Sequence, residues 1–129
     1  EMPAWNDYKT EAKQRGSLAF ELYVVESTPI TPPEEVKQVL PDHLAYQQQQ
    51  EAAGNLFLAG PLSDDSGEQM LGTGMIIYRA SSLEAATEIT SNDPMHAKGK
   101  RSFKIRKWLV NEGALSFNLS LSSQSVEVK

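Results

Sequence analysis

Few residues in this sequence are suited to proton-transfer chemistry, and His43 is the first of them. The chain contains only two histidines, and an imidazole takes up and returns a proton near neutral pH when a carboxylate holds its tautomer. Asp42 is adjacent but points away from His43 on a helix. Asp93, predicted at the end of a second helix, is a carboxylate that the fold can place beside His43. Its alternative role is to cap the turn that Pro94 begins.

A polar helix face around His43 is the second candidate feature. Tyr46, Gln47 and Gln50 follow His43 at spacings of three, four and seven residues, which places them on one side of a helix. This face either lines a cleft or is a solvated, glutamine-rich surface. We take Tyr46 and Gln47 as candidate substrate-binding residues. Gly60-Pro61, the turn expected after the next strand, joins them, although it lacks the glycine spacing of a phosphate loop.

Basic residues are dense only between positions 98 and 107. This run either keeps an edge strand solvated and unpaired or supplies a cation for a carboxylate or phenolate ligand. We take Arg101 and Lys104 as candidates for that cation. His96 is expected at the surface, and the two histidines lack a third ligand at metal-binding spacing. The sequence therefore predicts neither a metal site nor a cofactor.

Length and composition exclude several classes of protein. A chain of 129 residues predicts one domain, residues 1–129. The net charge of -5 argues against nucleic-acid binding, and no apolar run approaches the roughly 20 residues of a membrane span. The chain has no cysteine and no basic-then-apolar leader at its start. We therefore expect a cytoplasmic protein with a small-molecule partner.

The hydrophobic pattern predicts an α+β, ferredoxin-like fold. Between a leading helix and a trailing strand, the elements follow the order βαββαβ, which is typical of a four-stranded antiparallel sheet with helices on one face. The domain core spans about 17–110, the leading helix about 4–15 and a C-terminal extension 111–129. Pro41 is expected to open a fresh turn within the first core helix. The predicted core elements are strand 18–25, helix 34–53, strand 55–59, strand 75–78, a helix from a Ser81–Glu84 capping box to about 91, and strand 102–110.

The sheet face away from the helices is expected to need a cover. We assign Tyr23, Val25, Phe57, Ala59 and Tyr78 to this face, which is too apolar to meet water. A second copy of the sheet covers it if the protein is a homodimeric α+β barrel. The alternative is a monomer in which the final strand, to about residue 121, folds across the sheet.

Several short motifs in this order resemble the YCII-related family. They are His43-Leu44-x-Tyr46, the block from Gly54 to Gly60-Pro61-Leu62, Ser82-Leu83-Glu84-Ala85-Ala86 and Asp93-Pro94. The resemblance covers about residues 17–110. It implies a dimeric α+β barrel, similar in fold to muconolactone isomerases, with a His-Asp pair in a cleft. On this chain the pair is His43 and Asp93.

The resemblance leaves the reaction open. Most members have no assigned reaction, and one branch removes chloride from a chlorinated hydroxyquinone. Gln47 and Gln50 stand where the family more often has leucines, which alters the helix packing or the pocket lining. One hypothesis is an isomerase or lyase that moves a proton on a small cyclic or aromatic anion. The other is a non-catalytic ligand-binding or accessory module with the same cleft.

Overall fold

The computed structural model describes all 129 residues as two compact units. One comprises Glu21–Trp108, and the other comprises Glu1–Phe20 with Leu109–Lys129. None of the helices has the length and apolar character needed to cross a membrane. The elements in chain order are α1 (Trp5–Gln14), β1 (Phe20–Pro29), α2 (Pro33–Ala52), β2 (Leu56–Ser63), β3 (Met70–Tyr78), α3 (Leu83–Asn92), α4 (Pro94–Ala97), β4 (Arg101–Val110), β5 (Phe117–Ser120) and β6 (Ser125–Val128).

The larger unit has the predicted α+β fold. Its four strands form one antiparallel sheet in the order β2-β3-β1-β4. The two middle strands are adjacent although α2 and β2 lie between them in sequence, as the split βαβ order requires. The helical turn α4 is inserted between α3 and β4. The α+β prediction is therefore confirmed.

The smaller unit holds α1 and a two-stranded sheet formed by β5 and β6. Phe117 pairs with Val128 and Ser120 pairs with Ser125. The predicted final strand, to about residue 121, is present as β5, but a second strand that was not predicted follows it, because the chain reverses over residues 121–124, where Gln124 has a positive φ of 54°. The single-domain organisation stays a prediction.

The side chains on the helix-facing side of the sheet form rows across the strands, and the side chains become smaller from one row to the next. The first row joins Tyr23 and Tyr78, and the second joins Val25 and Ile76. These four residues form a buried cluster with Ala86 of α3. The third row is much smaller and consists of Ser27, Gly74 and Pro61. The third row therefore leaves free volume on this face, whereas the first two rows fill theirs.

This packing corrects the assignment of sheet faces. Tyr23, Val25 and Tyr78 were expected on the face without helices, but they pack with Ala86 on the helix side. The alternation of β-strand side chains puts Leu22 and Ile77 on the opposite face, where they are 1% and 4% exposed. The sequence pattern did not distinguish the faces because both are apolar in β1 and β3.

Helix α2 runs without interruption through Pro41, so the predicted fresh turn is wrong. Proline removes one backbone donor and leaves the carbonyl of residue 37 without its helical partner. Pro41 and Lys37 are both exposed, so water can satisfy that carbonyl. The continuous helix places His43 near its middle rather than in a first turn.

Strand β2 also continues through Gly60-Pro61, where a turn was predicted. Pro61 is paired opposite Gly74 of β3. Because β2 is an edge strand, a proline there can point its missing donor away from the ladder. The extension brings both residues beneath α2.

The start of α3 provides a stability test. The Ser82 hydroxyl accepts a hydrogen bond from the Ala85 N–H at 3.0 Å, so Ser82 rather than the predicted Ser81 is the N-cap. Ser82→Ala is expected to lower the free energy of unfolding by about 1 kcal/mol, measured by urea denaturation. Ser81→Ala is the matched control and should change it much less. An equal loss in both variants would contradict this assignment of the cap.

Candidate active site

A hydrogen-bonded His43–Asp93 pair joins α2 to the junction of α3 and α4. The Nδ1 atom of His43 lies 2.8 Å from both carboxylate oxygens of Asp93. The Asp93 side chain is fully buried, and the His43 side chain is 16% exposed. A carboxylate oxygen accepts, so the Nδ1–H of His43 donates and its Nε2 is left as the site for proton exchange.

Asp93 performs both of the roles that the sequence allowed. It ends α3 and precedes α4, and its carboxylate accepts a hydrogen bond from the Met95 N–H at 3.0 Å. Its backbone carbonyl accepts from the N–H groups of His96 and Ala97. Capping and the histidine bond thus satisfy a carboxylate that no water reaches, as burial of a charge requires.

A cavity of about 310 Å³ lies between α2 and the third row of the sheet. His43 lines it from the helix side, and Ser27, Gly74 and Pro61 line it from the sheet. Much of the remaining wall is apolar. This volume is at the lower end of the range for small-molecule sites. The apolar side chains of the wall are Val36, Leu40, Leu44, Met70, Met75, Ile76 and Met95. The cavity therefore combines one imidazole that can exchange a proton with space for a ligand the size of one ring.

Arg101 supplies the positive charge of the cavity. Its Nε donates to the Ser27 hydroxyl at 2.9 Å, and its Nη2 donates to the carbonyls of Ser27 at 2.7 Å and Gly72 at 2.6 Å. Gly72 has a φ of 94°, a conformation that favours glycine. No carboxylate forms an ion pair with Arg101. Burial lowers the pKa of the guanidinium, and the charge of Asp93 opposes that shift.

The other predicted binding residues divide into two groups. Gln47, Gly60 and Pro61 line the cavity together with His43 and Arg101. Tyr46 does not line it, because its hydroxyl donates to the Ile89 carbonyl at 2.8 Å and ties α2 to α3.

Lys104 also lies outside the cavity. It alternates along β4 with Phe103 and Ile105, which pack on the core, and its own side chain is exposed. Of the basic run, only Arg101 faces inward to the cavity. No group of three His, Cys, Asp or Glu side chains has an arrangement suited to a metal ion.

Ser27 and His96 are site residues that the sequence analysis missed. His96 is not a surface residue as expected: its Nε2 lies 2.7 Å from the Ser27 Oγ, and its Nδ1 donates to the Thr90 carbonyl at 2.8 Å. Its ring also packs on Phe103 with centroids 4.8 Å apart. The sequence pattern contained no signal for Ser27, because Val25, two residues before it, was assigned to the sheet face without helices.

Burial of His96 generates a pH prediction. Burial is the largest effect on the pKa of His96 and lowers this pKa from the usual 6.5. The electrostatic effects of Arg101 and His43 also lower it, whereas the hydrogen bond to the Thr90 carbonyl and the charge of Asp93 raise it. The unfolded chain therefore takes up this proton at higher pH than the folded protein. The free energy of unfolding should fall as the pH drops through about 6.5.

The measurement is an NMR titration of the His96 ring combined with urea denaturation between about pH 8 and 5. His96→Gln should show a smaller decrease in the free energy of unfolding over that range than the wild type. A His96 midpoint at or above 6.5 would show that the ring is not held neutral by burial.

Comparisons with known proteins agree with this architecture. The structure is similar to that of 5-chloro-2-hydroxyhydroquinone dehydrochlorinase from Burkholderia phenoliruptrix AC1100, determined in complex with 2,5-dihydroxybenzoquinone. That match has a TM-score of 0.50 and 19% identity, and covers 67% of this chain and 92% of the other. A crystal structure of muconolactone isomerase matches with a TM-score of 0.53 and 14% identity, over 67% of this chain and 86% of the other.

These two likenesses establish the fold alone. No curated protein matches the sequence. The model of the YCII-related domain matches residues 8–109, a span that includes β1 to β3, nearly all of β4 and every residue named in the cavity. The chain therefore belongs to the YCII-related family.

Proposed function

We propose that this protein is a small-molecule enzyme in which His43, oriented by Asp93, transfers a proton on a small cyclic or aromatic anion. The reaction is an isomerisation or an elimination of the dehydrochlorinase type. The observation that carries this proposal is the 2.8 Å contact between the His43 Nδ1 and the Asp93 carboxylate. His43 also lines the cavity. The names of the two structural neighbours, an isomerase and a dehydrochlorinase, support the same class of chemistry.

The proton transfer follows from the two nitrogen atoms of His43. Asp93 accepts from Nδ1–H, so Nε2 keeps a free lone pair that can take an acidic proton from a ligand in the cavity. Asp93 then stabilises the imidazolium that forms, and the electron pair of the broken bond moves into the ligand. In an isomerisation Nε2 returns the proton to another ligand atom. In an elimination the electron pair expels chloride instead.

The charge of the cavity supports an anionic ligand. Arg101 is a partly buried cation whose hydrogen bonds run only to uncharged oxygen atoms of Ser27 and Gly72. A cation in such surroundings gains most from a ligand oxyanion, because the interaction strengthens where water is excluded. Arg101 would hold the anionic group while His43 acts on the ring.

A panel of candidate compounds tests the proposal. The protein is incubated in D₂O with cyclic enolisable acids, muconolactone and 5-chloro-2-hydroxyhydroquinone. Deuterium incorporation, isomerisation and chloride release are then followed by NMR and chloride assay. We expect turnover of at least one compound, and His43→Gln and Asp93→Asn should each lower kcat/KM by roughly 10²-fold or more.

Asp42→Asn is the matched control. Asp42 neighbours His43 in sequence, but its exposed carboxylate pairs with Lys98, so this variant should retain turnover. Equal rates for wild type and His43→Gln would refute the role of His43. Tight binding without product for the whole panel would favour the non-catalytic ligand-binding or accessory module.

We also propose that the protein assembles as a homodimer through the outer edge of β2. An edge strand has unpaired backbone groups that natural proteins cover or blunt. Leu58 on this strand is 57% exposed, and Met70 and Leu71 of the same hairpin are 72% and 57% exposed. These side chains are too apolar for an uncovered edge.

Sedimentation equilibrium tests the assembly. The wild type should sediment as a dimer at micromolar concentration, and Leu58→Lys should shift it toward monomer by placing charge in the contact. Leu121→Lys, at an 83% exposed residue of the other compact unit, is the control and should leave the mass unchanged. A monomeric wild type at all concentrations would exclude the dimer.

A further inference from the structure

A chain of three hydrogen bonds connects helix α3 to the guanidinium of Arg101. The Thr90 carbonyl, which can only accept, lies 2.8 Å from the His96 Nδ1, so this nitrogen carries a proton. Burial favours the neutral ring, which leaves Nε2 without a proton. The Ser27 hydroxyl donates to Nε2 at 2.7 Å, and its oxygen accepts from the Arg101 Nε at 2.9 Å. Thr90, His96 and Ser27 thus form a relay that ends at Arg101.

The relay fixes the orientation of the guanidinium. The Arg101 Nη2 donates to the carbonyls of Ser27 at 2.7 Å and Gly72 at 2.6 Å, so every N–H group of Nε and Nη2 is used. The Nη1 group lies on the other edge of the planar guanidinium, and its two N–H groups are left for a ligand. Because Arg101 lines the cavity, an anion there can pair with Nη1 without displacing the relay.

The charge of His96 depends on groups from three neighbouring elements. Burial is the largest effect and lowers the pKa of the ring, whereas the hydrogen bond to the Thr90 carbonyl and the charge of Asp93, at the junction of α3 and α4, raise it. The electrostatic effects of Arg101 in β4 and His43 in α2 lower this pKa further. An anion bound to Arg101 neutralises one of the two groups that oppose protonation, so it favours the charged form of His96.

We propose that anion binding at Arg101 is coupled to the uptake of a proton by His96, and that Ser27 and His96 are positioning residues for the guanidinium. A protonated His96 donates from Nε2–H to the Ser27 oxygen, which keeps its bond from the Arg101 Nε through its other lone pair. The relay therefore persists in both charge states of His96. The protonated ring places a second positive charge behind Ser27. This inference rests on the proposed function, because it describes how the same anion site is held and regulated.

Thermodynamic linkage gives the sign of the effect. The factor by which a proton on His96 tightens anion binding is the factor by which the anion tightens proton binding. The anion affinity should therefore rise as the pH falls through the range in which His96 titrates. The midpoint of His96 should be higher in the complex than in the free protein, and a rise of 0.5 corresponds to a roughly threefold gain in affinity.

A ring-sized monoanion without a hydroxyl group tests the coupling. Benzoate stays ionised down to about pH 5, and benzamide has the same ring without the charge. The NMR signals of the His96 ring are titrated between about pH 8 and 5 in the free protein and with each compound. Benzoate should raise the His96 midpoint by about 0.5 or more, and benzamide should leave it unchanged. A midpoint that benzoate does not raise, or a protein that does not bind benzoate, overturns the proposal.

Variants separate positioning from charge. In His96→Gln the side-chain amide can accept from Ser27 and donate to the Thr90 carbonyl, but it does not titrate. This variant should bind benzoate within about twofold of the wild type at pH 8 and lose the His96-dependent increase at low pH. His96→Leu and Ser27→Ala interrupt the relay and should weaken benzoate binding roughly threefold to tenfold at both pH values. Thr28→Val is the matched control, because Thr28 is exposed and contacts Thr73, and it should behave as the wild type.

The contribution of His43 is measured separately. His43 lines the same cavity and can also gain a proton at low pH, so the benzoate titrations are repeated in His43→Gln. The increase in affinity that depends on His96 should remain there. An equal increase in His43→Gln and in the double variant His43→Gln/His96→Gln overturns the coupling. None of these measurements needs turnover. Intact coupling without wild-type turnover refutes only the proposed function, and turnover without coupling refutes only this inference.

Discussion

The buried carboxylate of Asp93 is the constraint on which the rest of the site depends. A charge at a fully buried position is tolerated only with hydrogen-bond donors on several sides. The Met95 N–H and the His43 Nδ1–H supply them, and they come from elements far apart in sequence. Removing either donor would leave a buried charge partly unsatisfied. The need to satisfy Asp93 therefore holds α2 against the α3–α4 junction and orients the imidazole at the same time.

The gradation of side-chain size along the sheet explains why a cavity exists at that point. Large aromatic and aliphatic residues fill the space under α3, and the next row contains serine, glycine and proline. Because α2 crosses this row as a continuous helix, it does not bend toward the sheet to fill the gap. Ser27 and Arg101 are held by several hydrogen bonds, and His43 is held by the carboxylate of Asp93. The site is thus preorganised, which favours transition-state stabilisation over adaptation to the ligand.

The sequence predicted those parts of the structure that depend on local pattern. The order of core elements followed from periodicity, and His43 and Asp93 followed from residue chemistry together with the family resemblance. Pro41 and Gly60-Pro61 were misinterpreted because proline is unfavourable inside helices and strands in general. Solvent exposure in one case and an edge position in the other remove most of that penalty, and neither is visible in the local sequence.

The contacts of Ser27 and His96 were beyond such analysis for a different reason. The two residues are 69 positions apart, and each is ordinary in its own segment. Only the pairing of β1 beside β4 and the short α4 turn brings them together with Arg101. Lys104 shows the opposite error. It has the same positive charge as Arg101, but the alternation of side chains along β4 points it outward.

The entry of the chain into β4 has a consequence for how ligand charge can diverge among related proteins. Arg101 begins this strand after a connection of three residues that follows α4, and side chains alternate between the two faces from there. Deleting one residue in that connection, with the strand shifted to match, would turn Lys104 and Arg106 toward the core in place of Phe103 and Ile105. Such a shift would bury two charges, so the core fixes the length of this connection, and divergence in ligand charge is expected through substitution of Arg101 rather than through loop length.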